Sequence, residues 1–353
     1  MSDIELPTIR WTRDDEKNQF AYSYSIVEAI LTCPVWGLTR YYKRKYWPTK
    51  RQMALEAGSQ MHEIFAAVRL WQLYRRQGLY QHFRFHAIRL FGEDRLNACW
   101  KTNANSERDE LLHFAFHILN SGEFYDDPDD RIRTIANMEE TTIRYVDEMM
   151  TRMPESPIWV ADRNDPTAPV GVEQVFDVMV TWKGRSARYV GTIDGIIAKP
   201  GNTMMVDENK TASRLDDVWR STYQVKSQPT GYIFVGRLLT GLEGNKVRML
   251  GIKVKQTKSQ EDFYPFIEER EPYQLVDWAR SLFFACDLVE RYGDDPITAP
   301  QFTHACNRYF RACAFLELCA AEPEDRRDMY DNSMVEAPLT PTQEAILAQT
   351  AAG

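Results

Sequence analysis

The chain has 353 residues, enough for one large domain or two, and its 44% hydrophobic and 27% charged residues are typical of a globular protein. Its net charge of −8 does not indicate a nucleic-acid binder. Binding depends on local patches of positive charge, however, and the net charge of the whole chain does not reveal them. The N-terminus lacks a basic start followed by an apolar run, and no apolar stretch approaches about 18 residues. We therefore expect a cytoplasmic protein without a signal peptide, a membrane span or disulfides.

Helical periodicity dominates the first half of the chain. Residues 21–46 have the pattern of a helix that ends in a basic, aromatic loop, and residues 50–152 repeat apolar side chains at helical spacing almost throughout. A stretch rich in proline and aspartate, residues 154–169, then interrupts the pattern. We therefore expect a large helical region before any sheet.

Short segments rich in β-branched residues follow, and they predict a sheet. GVEQVFDVMVTW, ARYVGTIDGIIA and TMMVDENK are bounded by glycine, proline and asparagine, as consecutive strands often are. Residues 217–241 return to a helical pattern, in which Pro229 fits a first turn and Gly241 fits an end. VRMLGIKVKQT and DFYPFIEE predict two more strands, and residues 271–292 predict a further helix.

The predicted fold class is α/β, with a mixed central sheet flanked by helices, a large helical insert before it and a cysteine-rich segment after it. Five segments follow from the composition: an N-terminal helix with a basic loop (1–50), a helical region (51–153), a sheet-bearing core (154–270), a C-terminal helix with the cysteine-rich segment (271–320) and a tail, partly disordered (321–353).

Two of the predicted strands end in acidic residues. Asp194 ends the run VGTID, and Glu208 and Lys210 come at the end of what we expect to be the neighbouring strand. Because residues i and i+2 of a strand point the same way, Glu208 and Lys210 share a face, while Asp207 and Asn209 point to the other. Two converging carboxylates repel each other unless a cation lies between them, and Mg²⁺ or Mn²⁺ suits such an oxygen site. A charged surface turn is the alternative.

The ordered set of motifs around these residues resembles the RecB-like branch of the PD-(D/E)XK nuclease superfamily. Asp194 followed by Glu208-x-Lys210 is similar to the core motif, GSQMHE with His62 is similar to the branch's Gly-x-x-x-His helix, and SQPTGY is similar to its Gln-x-x-x-Tyr motif. Glu173 begins the first predicted strand, where family members often carry a glutamate. A charge at the edge of the sheet is the alternative for Glu173.

This resemblance implies a restriction-endonuclease-like fold and a role for each matching residue. Lys210, Glu208 and Asp194 would be catalytic, with Lys210 positioning the attacking water. The implied ligands of Mg²⁺ or Mn²⁺ are His62, Asp194, Glu208 and the backbone carbonyl of Asn209. Gln228 and Tyr232 would contact DNA. On this interpretation, Asp207→Ala keeps most of the activity and Glu208→Ala loses it.

The cysteines carry a second resemblance. QFTHACNRYFRACAFLELC, with an upstream Cys-Pro in ILTCPVW, resembles the iron–sulfur members of this branch, which include AddB and the CRISPR-adaptation nucleases. The implied ligands of a [4Fe–4S] cluster are Cys33, Cys306, Cys313 and Cys319. Zinc is the rival metal, although structural zinc sites favour C-x2–4-C pairs, and unliganded core cysteines are a third possibility. We expect Cys99 and Cys286 to be buried small hydrophobes.

A basic and aromatic stretch follows the first helix. TRYYKRKYWPTKR, residues 39–51, offers cations for phosphates and rings on which bases stack, as a single-strand groove needs. The candidate DNA contacts are Arg40, Lys43, Arg44 and Lys45. A solvated basic loop packed by its own aromatics is the alternative.

The resemblance implies a metal-dependent deoxyribonuclease, an exonuclease on single strands or duplex ends, in recombination, repair or phage DNA metabolism. The SQPTGY and C-x6-C-x5-C forms are similar to those of stand-alone phage and bacterial members. A partner protein or a helicase, and an oligomeric assembly, are compatible with it. A catalytically silent DNA-binding or assembly subunit is the alternative, and an iron–sulfur redox protein is a third hypothesis that no flavin, nicotinamide or radical motif supports.

Overall fold

The structure is a computed structural model that describes residues 5–46, 53–99, 105–122, 124–152, 156–212, 214–254, 263–308, 311–332 and 335–336. Its helices are α1 (Tyr24–Thr32), α2 (Pro34–Gly37), α3 (Met53–Arg75), α4 (Tyr80–Phe91), α5 (Glu93–Cys99), α6 (Glu107–Asn120), α7 (Ile135–Arg152), α8 (Asp217–Val225), α9 (Ser227–Thr240), α10 (Pro272–Tyr292), α11 (Leu316–Ala320) and α12 (Pro323–Asn332). Within these described ranges, no helix combines the length and the apolar character that crossing a membrane requires.

The strands lie mostly after the run of helices α3 to α7. They are β1 (Thr8–Trp11), β2 (Ala21–Tyr22), β3 (Lys45–Tyr46), β4 (Val172–Trp182), β5 (Arg185–Lys199), β6 (Thr203–Ala212), β7 (Lys246–Lys253), β8 (Phe263–Glu269), β9 (Asn307–Arg308), β10 (Arg311–Ala312) and β11 (Val335–Glu336). The predicted helical region, the strands of the predicted sheet and the helices between and after them are confirmed. The short strands β1, β2, β3, β9, β10 and β11 were not predicted, and β2 lies at the start of the stretch 21–46 that was expected to be helical.

The first predicted helix is interrupted at Cys33. This residue has an extended backbone, with φ −156° and ψ 108°, and it ends α1 and begins α2. The interruption has a local cause, because the ring of Pro34 disfavours a helical conformation at the residue before it. Pro34 itself is well placed, since a first helical turn needs no backbone N–H there.

The central sheet is mixed, as predicted. Its strand order is β1-β4-β5-β6-β7-β8, and β2 pairs in parallel with β5. Strands β6 and β7 are parallel, while β5 with β6 and β7 with β8 are antiparallel. Helices α8 and α9 lie in the crossover from β6 to β7, because two parallel strands cannot be joined by a tight turn.

Tertiary contacts divide the chain into two compact units, each formed by separate stretches. Unit 1 contains the described residues of 1–51, 175–192 and 271–353, and unit 2 contains those of 52–174 and 193–270. The helices α3 to α7 therefore belong to the same unit as β6, β7 and β8. The five segments expected from composition stay a prediction.

Helix α3 lies at the centre of the core of unit 2. The side chains predicted to share its apolar spacing, which include Ile64, Phe65, Val68 and Trp71, are fully buried. They pack with apolar residues of α4, α6, α7 and β7 in one cluster. Since α3 is enclosed along most of its length, any polar side chain on it must find partners inside the protein.

Candidate active site

The candidate site lies in unit 2, where β5 and β6 part from each other. The last pair in the register of these two strands is Gly195 with Asp207. Asp194 immediately precedes Gly195 on β5. Its Oδ2 accepts a hydrogen bond from the Asn209 backbone N–H at 3.2 Å. Because the N–H and C=O groups of one strand residue point to the same edge, the Asn209 carbonyl also faces this gap.

The two faces of β6 have different neighbours, as the predicted alternation requires. Gly236 of α9 lies against the face that carries Val206, and Glu208 and Lys210 follow on that face. On the other face, the Asn209 side-chain amide donates to the Tyr145 hydroxyl of α7 at 3.1 Å. The separation of Glu208 and Lys210 from Asn209 is therefore confirmed by the contacts of β6.

Three side chains bring metal-binding atoms together at the gap. One ligand atom each of His62, Glu173 and Asp194 lies within 4.8 Å of the others. His62 is on α3, and its Nδ1 is 3.5 Å from Asp194 Oδ2. Glu173, for which the sequence allows two interpretations, contributes a carboxylate to this group. Its backbone has a φ of +44°, a strained value for a residue other than glycine, and such strain is often found at functional sites.

Buried oxygen atoms at the site lack partners, which fits a bound cation. Glu173 Oε1 and Glu208 Oε2 are buried and accept no hydrogen bond from the residues that the structure describes. Glu208 is fully buried, and its other carboxylate oxygen contacts the ammonium of Lys210. Leaving a buried carboxylate oxygen unpaired is costly, and a divalent ion with oxygen ligands would remove that cost.

The charges at the site shift one another's titration. Burial raises the pKa of Glu173 well above its usual range, and the nearby charge of Asp194 raises it further. Burial, followed by the charge of Asp194, also raises the pKa of Glu208. Burial lowers the pKa of His62, which favours the neutral imidazole that binds metals. For Lys210, burial would lower the pKa, but the carboxylates of Glu208 and Asp194 outweigh it and raise the pKa.

Asp207 points away from Glu208, as predicted, but it is buried in a network of charges. Its Oδ2 accepts a hydrogen bond from Arg69 Nη2 at 3.1 Å, and its Oδ1 accepts one from Arg248 Nε at 2.8 Å. Burial would raise the pKa of Asp207, yet the two guanidiniums outweigh that effect and hold it well below the usual range. That Asp207→Ala keeps most of the activity stays a prediction, but the change would leave two buried cations without their partner.

Gln228 and Tyr232 share one face of α9, as their spacing predicts. Gln228 Nε2 donates to the Tyr232 hydroxyl at 3.0 Å, and Tyr232 is buried. The crossover helix that carries them packs on β6, the strand of Glu208 and Lys210. The structure thus holds this pair in a defined arrangement within unit 2.

Sequence reasoning missed Arg69, Arg248 and Tyr145. Arg69 interrupts the apolar run AAVRLW of a helix and lies seven residues after His62, which puts both on the same side of α3. A charge inside such a run was a usable indication, because a fully buried arginine needs a specific partner. No comparable pattern marks Arg248 or Tyr145.

Comparison with known proteins identifies the family. The sequence model of the PD-(D/E)XK nuclease superfamily matches residues 21–320. The chain belongs to the PD-(D/E)XK nuclease superfamily. The central mixed sheet flanked by helices is that of the restriction-endonuclease-like fold. A search of curated protein sequences returned no match.

The chain has low similarity to two solved structures. A candidate exonuclease from Eubacterium rectale has 14% identity and a TM-score of 0.39, with 96% of each chain covered. The protein SSO0001 has 17% identity and a TM-score of 0.26, and the match covers 42% of this chain and 59% of that one. The chain thus spans less than two thirds of the length of SSO0001.

In this PD-(D/E)XK protein, the four predicted cluster cysteines all line one cavity of unit 1. The cavity has about 350 Å³ of empty space, part of it open to solvent, and its wall includes Cys33, Cys306, Cys313 and Cys319. Cys306 and Cys313 face each other across the β9–β10 hairpin, where the Cys313 N–H donates to the Cys306 carbonyl at 2.8 Å. The six residues between these two cysteines therefore allow the chain to turn back, so that the cysteines lie opposite each other.

The two remaining cysteines have different outcomes. The prediction of a buried Cys286 is wrong, because this residue of α10 is half-buried. Burial, the larger effect, raises its pKa to about 11, although a hydrogen bond with Tyr22 lowers it. The side chain of Cys99 lies outside the described part of the structure.

The basic residues of this family member already have partners within unit 1. Lys43 Nζ lies 3.8 Å from a carboxylate oxygen of Asp294, and Arg44 lies 3.1 Å from Glu336. The Lys45 ammonium lies 4.4 Å from the ring centre of Tyr330. Arg40 lies over the ring of Tyr41 at 5.6 Å. Residues 47–51 of the stretch lie outside the described residues.

Proposed function

We propose that this superfamily member is a divalent-metal-dependent deoxyribonuclease that acts as an exonuclease on single strands or duplex ends. One observation carries the proposal: His62, Glu173 and Asp194 converge at the gap where Glu208 contacts Lys210. A metal-binding group beside a paired lysine is the arrangement that hydrolysis of a phosphodiester needs.

Each residue has a role in this mechanism. His62, Asp194, Glu208 and the Asn209 carbonyl would hold Mg²⁺ or Mn²⁺, and Glu173 would be a further carboxylate ligand. When bound, the ion would supply a Lewis acid for the scissile phosphate and would lower the pKa of the attacking water. Lys210 orients that water and offsets the negative charge that develops on the phosphate. Glu208 keeps Lys210 in place through their ion pair.

DNA degradation with Mn²⁺ tests the proposal directly. Labelled linear and circular single strands, and linear duplexes, are incubated with the wild-type protein, with Lys210→Ala and with Lys246→Ala. Lys246 is a matched control, because this exposed lysine of β7 pairs with Glu269 away from the site. We expect the wild type and Lys246→Ala to degrade linear DNA and spare circular strands, while Lys210→Ala loses activity by a factor of at least about 100.

Other outcomes point to other functions. If both the wild type and Lys210→Ala bind DNA and leave it intact, the protein is a catalytically silent DNA-binding or assembly subunit. Cleavage of circular strands would show an endonuclease instead. Undiminished degradation by Lys210→Ala would contradict the assignment of the site.

We further propose that unit 1 binds a [4Fe–4S] cluster through the four cysteines of its cavity. All four cysteines line this one cavity, and four thiolates are the usual ligand set of such a cluster. The Cys313 sulfur also accepts a hydrogen bond from the Phe315 N–H at 3.5 Å, a contact that favours a thiolate.

The proposed contacts with DNA belong to two groups of residues. Gln228 and Tyr232 would hold the strand near the metal, while Arg40, Lys43, Arg44 and Lys45 would bind phosphates. Because Asp294 and Glu336 already face Lys43 and Arg44, binding there would exchange these acids for phosphates. A role in recombination, repair or phage DNA metabolism, with a protein partner or a helicase, remains part of the proposal and rests on the family resemblance.

A further inference from the structure

Arg69 is a fully buried charged residue of unit 2. Its side chain is fully buried on α3, two helical turns after His62. An arginine is seldom fully buried, and it stays charged in proteins, so its surroundings must supply acceptors for its donors. The identity of those acceptors indicates its role.

The guanidinium of Arg69 bridges the two strands that carry the candidate metal ligands. Its Nη1 donates to the backbone carbonyl of Asp194 at 3.0 Å, and its Nη2 donates to the backbone carbonyl of Asp207 at 3.0 Å. Asp194 is itself a candidate metal ligand, and Asp207 immediately precedes Glu208. One rigid, planar group therefore sets the distance between the two backbone segments that carry Asp194 and Glu208.

The bridge lies at the position where the backbone ladder stops holding these strands together. Gly195 with Asp207 is the last pair in the register of β5 and β6. From there on, the link between them is the hydrogen bond from the Asn209 N–H to the side chain of Asp194. Arg69, which lies on α3, thus connects β5 and β6 at the point where their backbone hydrogen bonds no longer do so.

The backbone leaves room for this guanidinium at one particular glycine. A Cβ on Gly195 would lie 2.8 Å from Arg69 Nε and 2.9 Å from Arg69 Cζ. Such a contact is too close for any side chain, so the guanidinium occupies the space that a side chain at position 195 would take. Gly195 and Arg69 are therefore two parts of the same bridge.

We propose that Arg69 is a positioning residue, which fixes the separation of Asp194 and Glu208 and thereby sets the affinity of the site for a divalent metal ion. This inference rests on the proposed nuclease site, because it assigns Asp194 and Glu208 to one ion. Arg69 acts through the backbone of both strands and contacts no substrate. Residues that orient metal ligands in this way are typically worth about 10- to 100-fold in metal affinity.

A titration with Mn²⁺, followed by the electron paramagnetic resonance of the free ion, tests this role without DNA. Arg69→Lys keeps the charge but lacks the planar fork, so it cannot bridge both carbonyls. Arg248→Lys is the matched control, since Arg248 pairs with the same Asp207 carboxylate and with Ser156. We expect Arg69→Lys to bind Mn²⁺ at least about tenfold more weakly than the wild type, and Arg248→Lys to bind within about threefold of it.

Kinetics separate positioning from a general loss of structure. In Arg69→Lys, we expect the Mn²⁺ concentration for half-maximal DNA cleavage to rise by the same factor, with kcat largely recovered at saturating Mn²⁺. Gly195→Ala is a second variant that keeps Arg69 and displaces its guanidinium, and it should weaken Mn²⁺ binding in the same way. If Arg69→Lys does not fold, Gly195→Ala still tests the role of Arg69.

Two results would overturn the inference: wild-type Mn²⁺ affinity in folded Arg69→Lys or Gly195→Ala, or equal weakening in Arg69→Lys and Arg248→Lys. These results differ from a failure of the proposed function. A wild-type protein that binds Mn²⁺ and cleaves no DNA would refute the nuclease and leave the role of Arg69 in metal affinity measurable by the same titration.

Discussion

Glu173 shows how one buried carboxyl group can make the stability of the protein depend on pH. Burial and the neighbouring Asp194 raise the pKa of its carboxyl in the folded protein, whereas in the unfolded chain a glutamate titrates at about 4.3. At neutral pH the folded state therefore holds more protons than the unfolded state. The free energy of unfolding must then fall as pH rises through the pKa of folded Glu173.

We predict this fall for the metal-free protein at pH values above the ordinary pKa of both glutamate and histidine. The lowered pKa of His62, whose effect has the opposite sign, contributes little there. Urea unfolding in the presence of a chelator measures it at several pH values. The fall should be smaller in Glu173→Gln, and equal slopes in both proteins would refute the assigned pKa shift.

Asp207 is the residue whose substitution should be most costly outside the metal site. Asp207→Asn leaves Arg69 and Arg248 without a buried counter-charge, and breaking a buried pair in this way typically costs about 3–5 kcal/mol. Asp147→Asn is the control, because Asp147 forms an exposed pair with Arg108, and such pairs contribute about 1 kcal/mol or less. Urea unfolding measures both. If the free energy of unfolding fell by a similar amount in the two variants, the buried network would contribute no more to stability than the exposed pair.

At the scale of single elements, the β9–β10 hairpin accounts for the spacing of two cysteines. The hairpin places Cys306 opposite Cys313, and α11 carries Cys319 into the same cavity wall. Proline-induced interruption of the first helix leaves Cys33 at the start of α2, where it joins them. Three short local structures therefore bring four distant thiols together.

The grouping of the four cysteines predicts the colour and the iron content of the purified protein. Prepared without oxygen, the wild type should be brown, with broad visible absorbance and about four iron and four sulfide per chain. Cys313→Ser should lose this absorbance, whereas Cys286→Ser should keep it, because Cys286 lies on α10 beside Tyr22. A colourless wild-type protein with one zinc per chain would contradict the cluster.

At the scale of the whole molecule, metal binding should appear as a gain in stability. A ligand that binds only the folded state stabilises it by about 2.7 kcal/mol at 100 times its dissociation constant. We predict that Mn²⁺ raises the Tm of the wild type and that a chelator reverses the rise. Asp194→Asn should show no rise, since Asp194 is the carboxylate that His62 and the Asn209 N–H both approach. An equal rise in this variant would place the ion elsewhere.

The sequence by itself determined the features that depend on neighbouring residues. Apolar spacing predicts α3, and strand alternation puts Glu208 and Lys210 on one face of β6, because both patterns follow from local backbone geometry. The order of the motifs, from His62 to the Gln-x-x-x-Tyr pair on α9, was enough to predict the nuclease family.

Only the tertiary structure decided the surroundings of these residues. It placed Glu173 beside Asp194, paired Asp207 with two buried arginines, and gave the basic loop acidic partners in Asp294 and Glu336. Each of these contacts joins residues far apart in the chain, so no spacing rule predicts them. They form because a buried charge must be paired, and packing of the whole chain determines which partner is within reach.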